Sequence, residues 1–269
     1  MDQQGNKGTA KAGCESPASL PRGVLLEDLT WLEAEKALTA DSVVVIPLGA
    51  AAKEHGPHLK LKNDYILAEY LKKRLLVGAK VIVAPTVSYH FYPAFVEYPG
   101  SVSLSLETAR DLIVDICRSL SRFGPRRFYV LNTGVSTVRA LEPAATRLAG
   151  EGILLHYTEL DRLTAVVVQA VSEQEGGTHA DEIETSMILY MDPSAVDMSK
   201  AVKDYDAKGK GGLTRTPGGE GTYSPTGVWG DATLATREKG EKVVEALVSG
   251  ILKDLEALRA AALPAPPAT

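Results

Sequence analysis

Four short runs of mostly apolar, often β-branched residues, at 42–47, 80–86, 127–131 and 152–156, are separated by stretches whose apolar side chains recur every three or four positions. Branched side chains fit a pleated sheet, whereas the longer period marks one buried face of a helix. The spacing predicts helices over 65–77, where Leu67, Leu71 and Leu75 share a face, and over 107–123, where Leu112, Ile116 and Leu120 do so ahead of a stop at Gly124-Pro125. Further helices are expected over 137–149, from about Glu182 through Met187 and Tyr190, and over 236–260 with Leu247, Ile251 and Leu255 aligned. Strands that alternate with helices predict an α/β fold, with a mostly parallel sheet covered by helices on both faces.

With 269 residues and 45 % hydrophobic content the chain can bury one sizeable core. One domain is expected over residues 23–260. The leader, 1–22, is rich in Gly, Ala, Ser and Lys and reads as a disordered extension, and 261–269 as a disordered tail. A net charge of −5 and a pI near 5.6 argue against nucleic acid as a partner and favour a small molecule. Cys14 and Cys117 make no disulfide framework, which fits a reducing, cytoplasmic setting. No membrane association is expected, because no run approaches the roughly 18 apolar residues of a span and the leader has no apolar signal core.

Open parallel sheets bind ligands beyond the carboxyl ends of their strands. Polar groups fall there: Glu54-His55 after the first run, Tyr89-His90 after the second, Asn132-Thr133-Gly134 after the third and His156-Tyr157 at the fourth. His55, His58, His90 and His156 are therefore expected near one edge, with Tyr89, His90, Asn132 and Tyr157 available to bind substrate. Glu54, His55, His58 and Asp64 carry the donors that suit zinc, manganese or iron, although a carboxylate at a helix start, as at Asp64, is favoured without any metal. The loop entering the helix at Glu182 brings His179 and Glu184 toward that helix's N-terminal end. Either they form a general acid/base pair, or Thr178 or Asp181 caps the helix and Glu184 is solvated.

These segments carry a resemblance. Pro47-Leu48-Gly49 through Glu54-His55-Gly56-Pro57-His58-Leu59 and on to Asp64 resembles the first motif of the creatininase (creatinine amidohydrolase) family. Tyr98-Pro99-Gly100-Ser101-Val102-Ser103-Leu104, His179-Ala180 through Glu184-Thr185-Ser186, and Gly227-Val228-Trp229-Gly230-Asp231 with 235–241 are similar to three later motifs, in order. The resemblance implies a three-layer α/β/α subunit, a homohexamer and a metal-dependent amidohydrolase acting on a small cyclic amide, formamide or related C–N bond. It also implies that His55 and Asp64 are metal ligands, with Asp64 bridging two ions, and that His179 and Glu184 are the acid/base residues.

Two departures touch the metals. Gly49 and His55 are one residue further apart than in the family pattern, so Lys53 takes the slot of a glutamate ligand unless Glu54 bulges inward. On the third strand, Gly134 and Ser136 stand where the pattern has a histidine and a later ligand. The expected site is therefore one divalent ion, zinc or manganese, held by Glu54, His55 and Asp64. The alternatives are a metal-free acid/base enzyme using His179 and Glu184, in which Lys53 substitutes for an ion, and a non-catalytic ligand-binding oligomer subunit. Residues 207–227, with seven glycines and two prolines, read as a long mobile loop able to close over a site but lack the spacing of a phosphate-binding loop. Phe91 to Phe95 suit a subunit contact, core packing or an apolar pocket.

Overall fold

A computed structural model describes residues 22–265, so Cys14 and the expectations for the leader up to residue 21 and for the tail from residue 266 lie outside the described residues. The elements run β1 (Val24–Leu25), α1 (Trp31–Ala37), β2 (Val43–Leu48), α2 (Asn63–Gly78), β3 (Ile82–Val83), α3 (Leu106–Ser121), β4 (Arg127–Asn132), α4 (Val138–Ala149), β5 (Leu154–Tyr157), α5 (Leu160–Val171) and α6 (Glu182–Met191). Four two-residue strands follow, β6 (Lys203–Asp204), β7 (Leu213–Thr214), β8 (Thr222–Tyr223) and β9 (Gly230–Asp231), and then α7 (Arg237–Ala260).

The first five strands form one sheet in the order β1-β3-β2-β4-β5, and every pairing in it is parallel. Alternation along β2 and β4 divides the core in two. Val43, Val45, Tyr129 and Leu131 face α2, α6 and α7, while Val44, Ile46, Phe128 and Val130 face α3 and α4. This is the expected three-layer α/β/α arrangement. β2 is buried along its whole length, as suits a central parallel strand, and each fully buried Leu or Ile in these layers stabilises the fold by roughly 1.5–3 kcal/mol.

The third strand is shorter than the run at 80–86. Ala84 N–H reaches Val45 O and Val87 N–H reaches Pro47 O, both at 2.8 Å, so three residues here span two on β2 and the regular ladder ends at Ala84. β1 and α1 were too short to leave a periodic signal, and the Val166-Val167-Val168 run hides the helical character of α5. Residues 207–227 are less open than their composition suggests. β7 pairs with β8, Leu213 packs against Phe95 and Tyr98, and Tyr98 OH donates to Ser224 O at 2.7 Å.

Candidate active site

At the end of β2 the chain turns over the carboxyl edge of the sheet and re-enters as α2. Lys53 N–H donates to Leu61 O at 3.0 Å, closing this loop on itself, and Lys53, Glu54, His55 and His58 are all buried in it. Their side chains diverge. His55 turns Nε2 onto Asp64 Oδ1 at 2.8 Å and Nδ1 onto Lys53 O at 3.0 Å. Lys53 Nζ lies 2.7 Å from Asp64 Oδ2, an ion pair at an angle outside hydrogen-bond geometry. Burial alone raises the Asp64 carboxyl, but the Lys53 ammonium and His55 together hold it well below the usual carboxylate range. His58 Nε2 pairs with Thr185 Oγ1 at 2.8 Å, and burial together with the neighbouring His55 lowers its pKa to about 4, so His58 is a neutral brace between the loop and α6.

The second half of the site is built at the start of α6. Asp181 caps that helix, accepting from the N–H groups of Ile183 and Glu184, and burial beside Glu184 raises its pKa to about 6. The cap does not displace the pair expected to do chemistry. Glu184 Oε2 accepts from Ala180 N–H at 2.6 Å and stands 3.7 Å from His179 Nδ1. Backbone bonds between His179 and Trp229 fix the histidine from the other side, and its ring lies tilted against Phe95 with the centroids 4.2 Å apart. His179 Nε2 faces two acceptors on Glu54, the backbone O at 3.1 Å and Oε1 at 3.3 Å. These partners place the proton on Nε2 and leave Nδ1 as the basic nitrogen. Gly227, at φ 77°, makes room for Glu54, since an added Cβ would sit 2.4 Å from Oε1.

His179 and Glu184 line a cavity of about 230 Å³ together with Lys53, Phe95, Gly134, Ser136, Leu213 and Trp229. Four residues expected to bind substrate are not among those lining it. His90 is wholly buried, Asn132 spends its amide on Gly134 O and Thr158 O, and Tyr89 and Tyr157 lie outside the cavity wall. The expected cluster of four histidines does not form, because His156 is exposed on β5, the edge strand of the sheet. In their place the walls are supplied by Phe95, Leu213 and Trp229, which no polar motif marks; the aromatic run at 91–95 was the one available signal. Phe91 and Tyr92 pack inward, so that run serves core and pocket together.

The family model described as creatinine amidohydrolase matches residues 27–255. The chain belongs to the creatininase family. It is 28 % identical over 251 residues to the creatinine amidohydrolase of Pseudomonas putida, covering 86 % of this chain and 96 % of that one. It is also 30 % identical to the mycofactocin precursor peptide peptidase of Mycolicibacterium smegmatis (77 % and 82 % covered) and 28 % identical to the 3-dehydro-scyllo-inosose hydrolase of Thermotoga maritima (87 % and 83 %). A manganese form of creatininase superposes with a TM-score of 0.73 at 26 % identity, covering 89 % of this chain and 98 % of that one. A mutant creatininase of Zn–Zn type gives 0.72 at 27 %, covering 87 % and 97 %. The activity class of the family is hydrolysis.

The residues here do not fit a creatininase-like metal pair. Lys53, Gly134 and Ser136, the three residues at which the chain departs from the family pattern, line one cavity together, so an ammonium, a bare backbone and a hydroxyl stand where ligands are implied. Nor do Glu54, His55 and Asp64 gather around one point as expected, because Glu54 turns to His179 while Lys53 and His55 take up both Asp64 oxygens. Among the described residues, the ligand atoms that do converge, within 4.8 Å of one another, belong to His55, His179 and Glu184. His55 Nε2 is already on Asp64 and its Nδ1 on Lys53 O, so His55 joins that set on an ion only by giving up one of these two contacts.

Proposed function

We propose that this creatininase-family protein hydrolyses a C–N bond in a small amide, formamide or cyclic amide, with His179 and Glu184 as its acid/base residues. The observation that carries this reading is that His179 Nδ1 and Glu184 Oε2 stand 3.7 Å apart on the wall of one cavity. A water between them gives one proton to His179 Nδ1 as its oxygen attacks the carbonyl carbon, while Glu184 accepts a hydrogen bond from the other. When the C–N bond breaks, His179 returns its proton to the departing nitrogen. Glu54 holds the Nε2–H and so fixes which nitrogen is basic, the part a carboxylate plays behind a catalytic imidazole. The apolar walls, Phe95, Leu213 and Trp229, favour an uncharged substrate whose amide end meets the polar wall.

The related hydrolases support the reaction class, and their different substrates leave a panel to be screened: lactams, formamides, cyclic ureas and short peptide amides. On the best of these, His179→Ala is expected to lower kcat by roughly 10² to 10⁴, the usual contribution of a general acid/base. Glu184→Gln, which keeps the shape, should lower kcat with little change in KM. Activity of His179→Ala within a few fold of the parent would overturn the assignment and leave the His179–Glu184 segment a helix-capping device.

A further inference from the structure

The charges around the cavity are unequal in kind. Glu54 and Asp64, both buried, and the half-buried Glu184 bring three carboxylates, and Lys53 is the single ammonium among the residues that line the cavity. Its position is fixed from all sides. The Lys53 main chain is held by Leu61, Nζ is paired to Asp64, and the rings of Phe95 and Tyr92 lie 4.8 and 5.7 Å from the ammonium. Asp64 is itself held by His55, and its backbone O accepts from Thr133 Oγ1 at 3.1 Å, which ties the group to the end of β4. An ammonium that is only 5 % exposed, pinned by a carboxylate behind it and open to a cavity in front, is a preorganised positive charge with nothing left to reorganise.

We propose that Lys53 is a catalytic residue: its ammonium is the resident cation of this site and binds the substrate's carbonyl oxygen. This rests on the hydrolytic reading above and specifies how that site works. As water attacks, the carbonyl π electrons move onto oxygen, and the oxyanion forms against Lys53 Nζ while the ammonium keeps all its protons. Collapse returns that electron pair to carbon, the C–N bond breaks, and the nitrogen takes the proton held by His179. The balance closes with water as the only co-reactant. Gly134 brings only backbone to the wall of the same cavity.

Two measurements test it. In the first, the native protein is titrated calorimetrically with Zn²⁺ and with Mn²⁺ at micromolar concentration. No stoichiometric uptake is expected, whereas one equivalent bound by the native chain and lost in His55→Ala overturns the proposal whether or not any substrate has been found. In the second, on an amide that the protein turns over, activity should survive dialysis against a chelator, and Lys53→Met should lower kcat by about 10² to 10³ with KM little changed, as for the loss of an oxyanion donor. Lys53→Arg should recover part of that loss. Lys53→Met takes the cation from buried Asp64 Oδ2 and leaves that carboxylate only its His55 partner, so Lys53→Met/Asp64→Asn, neutral at both positions, supplies the same comparison in a folded protein. Activity abolished by the chelator and restored by metal, or a Lys53→Met rate within a few fold of the parent, overturns the role of Lys53. Failure of the whole amide panel counts against the hydrolytic reading instead, and the metal titration then still decides the claim about the resident cation.

Discussion

His90 has no exposed surface, and neither ring nitrogen completes a well-formed hydrogen bond. Burial, against a small upward pull from the Ala109 backbone, takes its pKa from 6.5 to about 4. In the unfolded chain the same imidazole protonates near 6.5, so between pH 6.5 and 4 the unfolded state binds the extra proton and stability falls as pH falls. His58, also lowered to about 4, acts in the same direction. Replacing His90 with Phe removes one titrating group and no hydrogen bond. The melting temperature of His90→Phe minus that of the parent should therefore rise as pH falls from 7 toward 4. A gap that stays constant across that window would show that His90 is not held neutral by burial. At this same scale the motif residues were legible in advance, since His55, Asp64, His179 and Glu184 are named by their segments. The partners of each were not, because a side chain's direction depends on what packs against it.

Among elements, α6 and α7 make the closest contact that bears on the site, since α6 carries Glu184 and presents His179 at its entrance. Gly240 on α7 lies directly against the α6 backbone, where an added Cβ would stand 1.8 Å from Ser186 O. Ser186 Oγ also accepts from Thr236 N–H at 3.0 Å, which sets the register between the two helices. Helix propensity alone makes Gly240→Ala stabilising by roughly 1 kcal/mol. The contact predicts the opposite sign, because the helices must separate or shift to admit the methyl group, a cost of about 1–3 kcal/mol. A lower urea midpoint for Gly240→Ala is the expected result, and a raised midpoint would mean that α7 does not press on α6 at this point. The sequence announces α6 and α7 by their periodicity but gives no sign of their approach, which joins residues far apart in the chain.

Over the whole molecule, α5 is incompletely covered. Of Leu160–Val171 only Thr164 is buried, while Val166 is 86 % exposed at the centre of an apolar run. Trp31 and Leu32 on α1 are also exposed. Apolar side chains left open on two helices suit contact with further copies of the chain, as the resemblance to a homohexameric family implied. Light scattering should give a mass that is a multiple of 28.7 kDa, and Val166→Glu should lower it; a monodisperse species at 28.7 kDa would count against self-association. Among the described residues no helix is long and apolar enough to cross a membrane.

The sequence by itself determined the layered fold and the four motif segments, since both rest on local information: branched runs, helical spacing, and donor groups placed just after strands. It also showed that Lys53, Gly134 and Ser136 depart from the family pattern. Only the tertiary structure decided what the departures mean. Residues 53, 134 and 136 belong to two loops after different strands, and folding brings all three to one cavity, where the ammonium pairs with Asp64. Glu54, read from its motif as a metal ligand, instead reaches across to His179, 125 residues away in sequence, because Gly227 leaves room for it. A spacing argument fixes which residues share a segment, whereas the partner of a buried charge is fixed by long-range packing that brings neutralising groups within reach.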